Sequence, residues 1–401
     1  MLERQITPFV EADLREKMVF IAGPRQCGKT TLARDLLARR AGAYYNQDVG
    51  AHRQQIRDSQ IDESADLWVF DELHKFRRWR NWLKGLFDLH DVRIRSRAAH
   101  PILVTGSARL DVYSHGGDSL EGRYHAYRLH PLTLAEVLGI APAELLDEVP
   151  QLARRKRQGA REARESLLEL GGFPEPFLSS SARAAARWRL GYGARLVREE
   201  IRSLQALRDL DRLELLYDRL AGTIGSVLSI NSLREDLEVA FETARSWIAV
   251  FERMYAVLRI APFGPPRIKA VRKEQKLYLW DWARVESRAA RFENLVAIHL
   301  LRLVHWYEDV AGERLELRYF RTTAGHEVDF VVLRRGKPWI AVELKLAERP
   351  LDANLKYLLE RVEIPFAFQV SLDGERDWRP PDINGAKVRV LPAERFLVQL
   401  P

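Results

Sequence analysis

The run Val19-Phe-Ile-Ala-Gly23-Pro-Arg-Gln-Cys-Gly28-Lys29-Thr30-Thr31 passes from apolar residues into the spacing G-x-x-x-x-G-K-T. Glycines at 23 and 28 let the backbone curl so that successive N–H groups face phosphate oxygens, and the helix expected after them adds its positive end. The expected nucleotide cradle is therefore Gly23, Pro24, Arg25, Gln26, Cys27, Gly28, Lys29, Thr30 and Thr31. In such a cradle Lys29 reaches the β- and γ-phosphates of ATP and the Thr30 hydroxyl takes a place on Mg²⁺. Roughly forty residues on, Leu67-Trp-Val-Phe70 ends in Asp71-Glu72, a buried strand closing on two carboxylates. Asp71 suits the magnesium through its water shell, and Glu72 suits the general base that orients and deprotonates the attacking water. A third apolar run, Ile102-Leu-Val104, leads into Thr105-Gly106-Ser107, where Ser107 is placed to sense the γ-phosphate.

A separate set lies near the C-terminus: Glu293 in the helical stretch 291–300, Asp329 in the strand 327–333, and Glu343 with Lys345 in the strand 339–345. Residues two apart on a strand share a face, so Glu343 and Lys345 point to one side. Carboxylates so placed are hard ligands for Mg²⁺ or Mn²⁺, and a lysine beside them can position or activate metal-bound water against a phosphodiester. A surface salt bridge between Glu343 and Lys345 is the plainer alternative. The order Glu–Asp–Glu-x-Lys on these elements resembles the PD-(D/E)xK nuclease core, with Glu293, Asp329 and Glu343 as metal ligands and Lys345 as its lysine.

Strands alternating with helices call for an α/β fold in which a parallel sheet carries helices on both faces and binds ligand at the carboxyl ends of its strands. Trp79, Trp82, Leu83, Leu86 and Phe87 recur at helical spacing over 76–89, an amphipathic helix whose tryptophans read as core. Residues 139–165, with Pro142, Pro150 and Arg154-Arg-Lys-Arg157, read as a boundary or exposed loop. Arg183, Arg187, Arg195, Arg198 and Arg202 then form a basic helical face, suited either to phosphates or to pairing with Glu199 and Glu200. Helices over 213–224, 232–237 and 241–257, with Asn231 or Ser232 as a cap, precede two strands near 258–261 and 276–281. Between those strands the loop carries Arg267, Lys269, Arg272 and Lys273. That is the outline of a winged helix-turn-helix with a basic wing, a fold that serves DNA binding or protein packing.

The chain has 401 residues, a net charge of +8 and one cysteine, Cys27. The length allows two or three domains, the charge favours a polyanionic partner, and a single cysteine rules out a disulfide framework and fits a reducing cytoplasm. No apolar run approaches the about 18 residues that span a bilayer, so no membrane partner is expected.

The ordered motifs Gly23–Leu32, Phe70-Asp-Glu-Leu73, Leu103–Ala108, Leu120-Glu-Gly-Arg123 and Leu129-His-Pro-Leu132 resemble the prokaryotic AAA+-type ATPases that carry a C-terminal domain of unknown function. Members usually have Val at the position of Cys27. The resemblance implies a homo-oligomer, a ring or open multimer with a hexamer favoured, completed by a neighbour's arginine. Arg123, and next Arg109, are the candidates to neutralise γ-phosphate charge from the same or an adjacent subunit. The expected organisation is an ATPase core over 1–140, a helical linker or lid over 141–210, a winged helix over 211–282 and a small α/β nuclease-like domain over 283–401. Two functions follow: a DNA-associated ATPase coupling hydrolysis to translocation or remodelling, with a C-terminal domain that binds or cuts DNA, or a nucleotide-gated switch whose C-terminal domains hold protein partners.

Overall fold

The computed structural model describes residues 2–93, 100–106, 120–141, 158–201, 209–265, 268 and 273–401. The chain forms two compact units, Met1–Pro131 and Leu132–Pro401.

In the first unit the elements run α1 (Thr7–Asp13), β1 (Met18–Ala22), α2 (Lys29–Ala38), β2 (Gly42–Asn46), α3 (Gly50–Arg57), β3 (Leu67–Asp71), α4 (Trp79–Arg93), β4 (Ile102–Thr105) and β5 (Tyr124–Arg128). Among the described residues the five strands pair in the order β2-β3-β4-β1-β5, every pairing parallel. β1 and β3 are buried along their whole length, as strands covered on both faces must be, which is why they read as unbroken apolar runs. α4 begins three residues later than its periodicity suggested, after a 3₁₀ turn over Leu73–Lys75. Its tryptophans do join the core: Trp79 lies 6.0 Å from the Phe20 ring and Trp82 meets Phe70 edge-on at 5.2 Å. Trp68 is fully buried in the same cluster, where loss of so large a side chain costs about 3–5 kcal/mol. This packing fixes the strand ends that carry the polar residues.

The second unit starts with α5 (Leu134–Val137), whose Thr133 and Glu136 form a reciprocal capping box. α6 (Ala160–Leu170), α7 (Pro174–Leu178) and α8 (Ala182–Arg195) follow, and a π-helical turn Leu196–Ile201 extends α8. Next come α9 (Leu210–Leu220), α10 (Ile230–Asp236), α11 (Phe241–Arg253), β6 (Val257–Phe263), β7 (Lys276–Leu279), α12 (Arg288–Ala311), β8 (Leu315–Arg321), β9 (Glu327–Arg334), β10 (Lys337–Lys345), α13 (Ala353–Arg361), β11 (Phe366–Ser371), β12 (Lys387–Pro392) and α14 (Ala393–Leu397). The cap of α10 is Ser229, whose side chain accepts from Ser232 N–H, rather than Asn231 or Ser232. α11 stops at Arg253, short of Val257, because Tyr255 adopts φ +55° and Ala256 N–H closes on Phe251 O, a left-handed stop.

Seven strands of this unit pair in the order β12-β11-β10-β9-β8-β6-β7. β6 and β7, expected as the strands of a separate winged helix, are the edge of this sheet: β6 pairs antiparallel with β7 and parallel with β8. α12 is buried on nearly all sides, which its dense apolar sequence requires. Within it, buried His299 accepts from Leu134 N–H at Nε2 (3.2 Å) and sets Nδ1 2.9 Å from Leu295 O. That arrangement suits one neutral tautomer, and burial pushes the imidazole pKa down to about 4.

Candidate nucleotide and carboxylate sites

The glycine-rich loop leaves β1 and enters α2 with the backbone its sequence requires. Gly23 and Gly28 have φ +150° and +102°, and Gln26 between them is also left-handed at +60°. A Cβ on Gly23 would lie 2.3 Å from Leu129 O, so only glycine fits where β1 passes the chain leaving β5. Buried Arg4 pins the loop from behind, donating to Cys27 O at 2.9 Å and to His130 O. Cys27 is buried and its thiol sits 3.4 Å from Leu129 O, so it serves packing. Lys29 opens α2, and its ammonium donates to Gly23 O (3.0 Å) and Pro24 O (2.7 Å). Arg25 is partly exposed, while Gln26 and Thr31 are exposed.

Parallel pairing brings the loop to the carboxylate strand. The Thr30 hydroxyl, in the first turn of α2, donates to Asp71 Oδ2 at 2.9 Å, so the two expected magnesium ligands touch although β4 lies between β1, which leads into the loop, and β3. Asp71 is buried and takes two further hydroxyls: Tyr44 on Oδ2 at 2.6 Å and Thr105 on Oδ1 at 2.6 Å. A buried carboxylate bonded by three hydroxyls, one of them that of the P-loop threonine, is a donor set that fits Mg²⁺. Burial and the bond to Asp71 push the Tyr44 phenol up to about 12, so it stays a donor at neutral pH. Glu72 adopts φ +56°, an uncommon backbone for a non-glycine residue and one that clusters at functional sites. Its Oε2 lies 3.3 Å from Lys75 Nζ and 3.5 Å from His74 Nε2, and Lys75 also holds Asp48 at 2.7 Å.

Arg123 is not brought to this site. Met18 N–H bonds Arg123 O, so Arg123 stands at the amino end of β1, whereas the loop leaves its carboxyl end. Its guanidinium pairs with Asp88 at 2.8 Å. Parallel strands therefore set Arg123 at the sheet edge opposite the loop of its own chain. Ser107 and Arg109 lie outside the described residues, as do Arg154–Arg157, Arg202, Arg267, Lys269 and Arg272. Of the basic face, Arg183 and Arg187 are exposed, and Arg198 pairs with Glu214 (2.5 Å) and Asp211 (3.0 Å).

In the second unit the register Phe330↔Val342 sets Asp329 beside Glu343, and Asp329 Oδ2 accepts Leu344 N–H at 2.8 Å. Lys345 bridges Glu343 (2.7 Å) and Asp352 (2.8 Å). Glu293 Oε1 accepts from Lys276 (3.0 Å) and the Tyr278 hydroxyl (2.7 Å). Glu293, Asp329 and Lys345 line a cleft of about 360 Å³. Burial, then the charges of Glu343 and Glu293, hold the Asp329 carboxyl well above the usual range, and burial raises Glu343 against the pull of Lys345. Among the described residues no three His, Cys, Asp or Glu side chains are gathered to hold one metal ion. The expected Mg²⁺ or Mn²⁺ set of Glu293, Asp329 and Glu343 is therefore not assembled here, because Lys276 and Lys345 engage two of the three carboxylates.

Sequence reasoning missed Tyr44, Lys75, Lys276, Tyr278 and Arg4. Strand pairing delivers the first and the two β7 residues, and a single sequence carries no signal for it.

Residues 15–138 match the AAA domain family, and the N-terminal part of this chain is an AAA-type P-loop ATPase domain. Residues 161–287 and 289–384 match two families described only as domains of unknown function, DUF8612 and DUF4143. The uncharacterised proteins Mb2031c of Mycobacterium bovis and Rv2008c of Mycobacterium tuberculosis are each 24% identical over 345 residues, covering 84% of this chain and 72% of the relative. Among solved structures, the Walker-type ATPase paby2304 of Pyrococcus abyssi is similar at 15% identity, with 73% of this chain and 96% of that one covered and a TM-score of 0.43. No helix among the described residues is long and apolar enough to cross a membrane.

Proposed function

We propose that this chain hydrolyses ATP with Mg²⁺ and couples turnover to translocation on, or remodelling of, DNA. The observation that carries the ATPase half is the Thr30–Asp71–Tyr44–Thr105 network at the carboxyl ends of β2, β3 and β4, with Glu72 one residue on. Bound magnesium supplies charge neutralisation on the phosphates. Thr30 and Asp71 hold it, Lys29 neutralises the transferred phosphate, and Glu72 takes the proton of the attacking water once released from Lys75. Because Arg123 lies at the far sheet edge of its own subunit, its finger role belongs to a neighbouring subunit in a homo-oligomer, with a hexamer favoured.

The DNA half rests on the second unit and on the net charge of +8. The order α12-β8-β9-β10-α13-β11, with Asp329 and Glu343-x-Lys345 at adjoining strand ends, supports a nuclease-like module over 283–401, and the helices α9, α10 and α11 support a winged helix over 211–282 whose strands β6 and β7 extend the sheet of that module. The test is ATP hydrolysis with and without duplex, single-stranded and branched DNA. Stimulation that fades at high salt is expected. Indifference to every DNA form removes the DNA half and leaves the nucleotide-gated switch, a reading favoured by the pairing of Glu72 with Lys75.

A further inference from the structure

Lys276 reaches the carboxylates from β7, an element outside the β9–β10 hairpin and the helix α12 that supply the expected site. Its side chain is only 3% exposed. A buried ammonium is costly unless paired, and here Nζ lies 2.6 Å from Glu327 Oε1 and 3.0 Å from Glu293 Oε1. The neighbouring Tyr278 hydroxyl donates to that same Glu293 oxygen, fixing its direction. Glu343 gives one oxygen to Lys345, while its Oε2 is buried with no hydrogen-bond partner. Behind the cleft that Glu293, Asp329 and Lys345 line, a fixed cation thus sits on Glu293, and Glu343 keeps one carboxylate oxygen without a hydrogen-bond partner. A divalent ion bridging Glu293, Asp329 and Glu343 needs Glu293 turned away from Lys276, and it would then lie close to a buried positive charge.

We infer that Lys276 is the resident cation of this carboxylate cluster, a positioning residue that neutralises Glu293 and Glu327 and competes with divalent metal for the carboxylates. The inference rests on the nuclease-like reading and deepens it: the carboxylates take metal only when the lysine is displaced. Glu327 is the second arm of this latch, since it is about one-third exposed and holds Nζ at the shorter distance.

The test uses the full chain carrying Asp71→Asn to silence the ion at the nucleotide site, with neither nucleotide nor DNA present. Mn²⁺ binding is followed by electron paramagnetic resonance. Lys276→Met is expected to raise Mn²⁺ affinity roughly tenfold or more by removing the competing charge, and adding Glu343→Gln to that variant is expected to abolish the gain. Glu327→Gln, which changes a side chain nearer the surface, is expected to give a smaller gain in the same direction, and it carries the test if Lys276→Met fails to fold. Equal or weaker Mn²⁺ binding in Lys276→Met, or no gain in Glu327→Gln when the methionine variant does not fold, overturns the inference. With no DNA in the assay, these results stand apart from the nuclease-like reading, which fails instead if Asp329→Ala and Lys345→Ala leave DNA binding and cleavage unchanged.

Discussion

Replacing Tyr44 by phenylalanine keeps the ring and deletes one hydroxyl, and the structure says what that hydroxyl does. It donates to Asp71 Oδ2 at 2.6 Å, and the same oxygen accepts Thr30 at 2.9 Å while Thr105 holds Oδ1 at 2.6 Å. When the Thr30 hydroxyl turns to the metal, Tyr44 and Thr105 are the hydroxyls left to orient a carboxylate only 3% exposed. A hydrogen bond to an ionised group contributes about 1.5–3 kcal/mol. Loss of an outer-shell partner of a metal ligand typically lowers affinity or activity by about 10–100-fold. Taking about 2 kcal/mol, Tyr44→Phe should weaken apparent Mg²⁺ affinity, or kcat/KM for Mg·ATP, by roughly 30-fold. The assay is steady-state ATP hydrolysis against free Mg²⁺, with metal-free ATP binding measured beside it. The reasoning expects the Mg²⁺ curve to move while metal-free binding holds. An unchanged Mg²⁺ dependence in Tyr44→Phe would refute the claim that this phenol positions Asp71.

Glu72→Gln should bind ATP yet turn it over at least about 100-fold more slowly, read by single-turnover hydrolysis; normal turnover would move the general base elsewhere. Arg123→Ala alone should be slow, and mixing it with Lys29→Ala subunits should restore hydrolysis, because one partner then supplies the loop and the other the arginine. No recovery on mixing would remove Arg123 from the mechanism. His299 gives a pH prediction: its native pKa of about 4 lies below the unfolded 6.5, so the unfolded chain binds the extra proton. Its contribution is complete above about pH 6.5 and is lost as pH falls toward 4, about 3 kcal/mol in all. Urea unfolding of wild type and His299→Leu at several pH values checks this, since the difference between them should shrink as pH falls.

What could be read from the sequence was what is local along the chain. Gly23, Gly28, Lys29 and Thr30 sit within one loop, and Asp71 closes an apolar strand, so residue order alone proposed their meeting; in the structure the Thr30 hydroxyl lies 2.9 Å from Asp71. Tyr44 lay hidden because only the register Tyr44↔Val69 and Asn46↔Asp71 sets β2 beside the site. Arg123 looked suitable by residue type, yet the pairing of Met18 with Tyr124 puts it at the opposite sheet edge. Lys276 was concealed for a related reason: β7 reads as the second strand of a hairpin, and its route to the carboxylates runs through β6 joining β8. Charge type was legible, but the partner that neutralises each charge depended on the long-range pairing of strands.

The central claim is that the loop from Gly23 to Thr31 holds Mg·ATP through Lys29. Isothermal titration of the wild-type chain and of Lys29→Ala with a non-hydrolysable ATP analogue and Mg²⁺ tests it most directly. The account predicts saturable binding by the wild type and its loss in the alanine variant. Binding of equal strength in both proteins would contradict it.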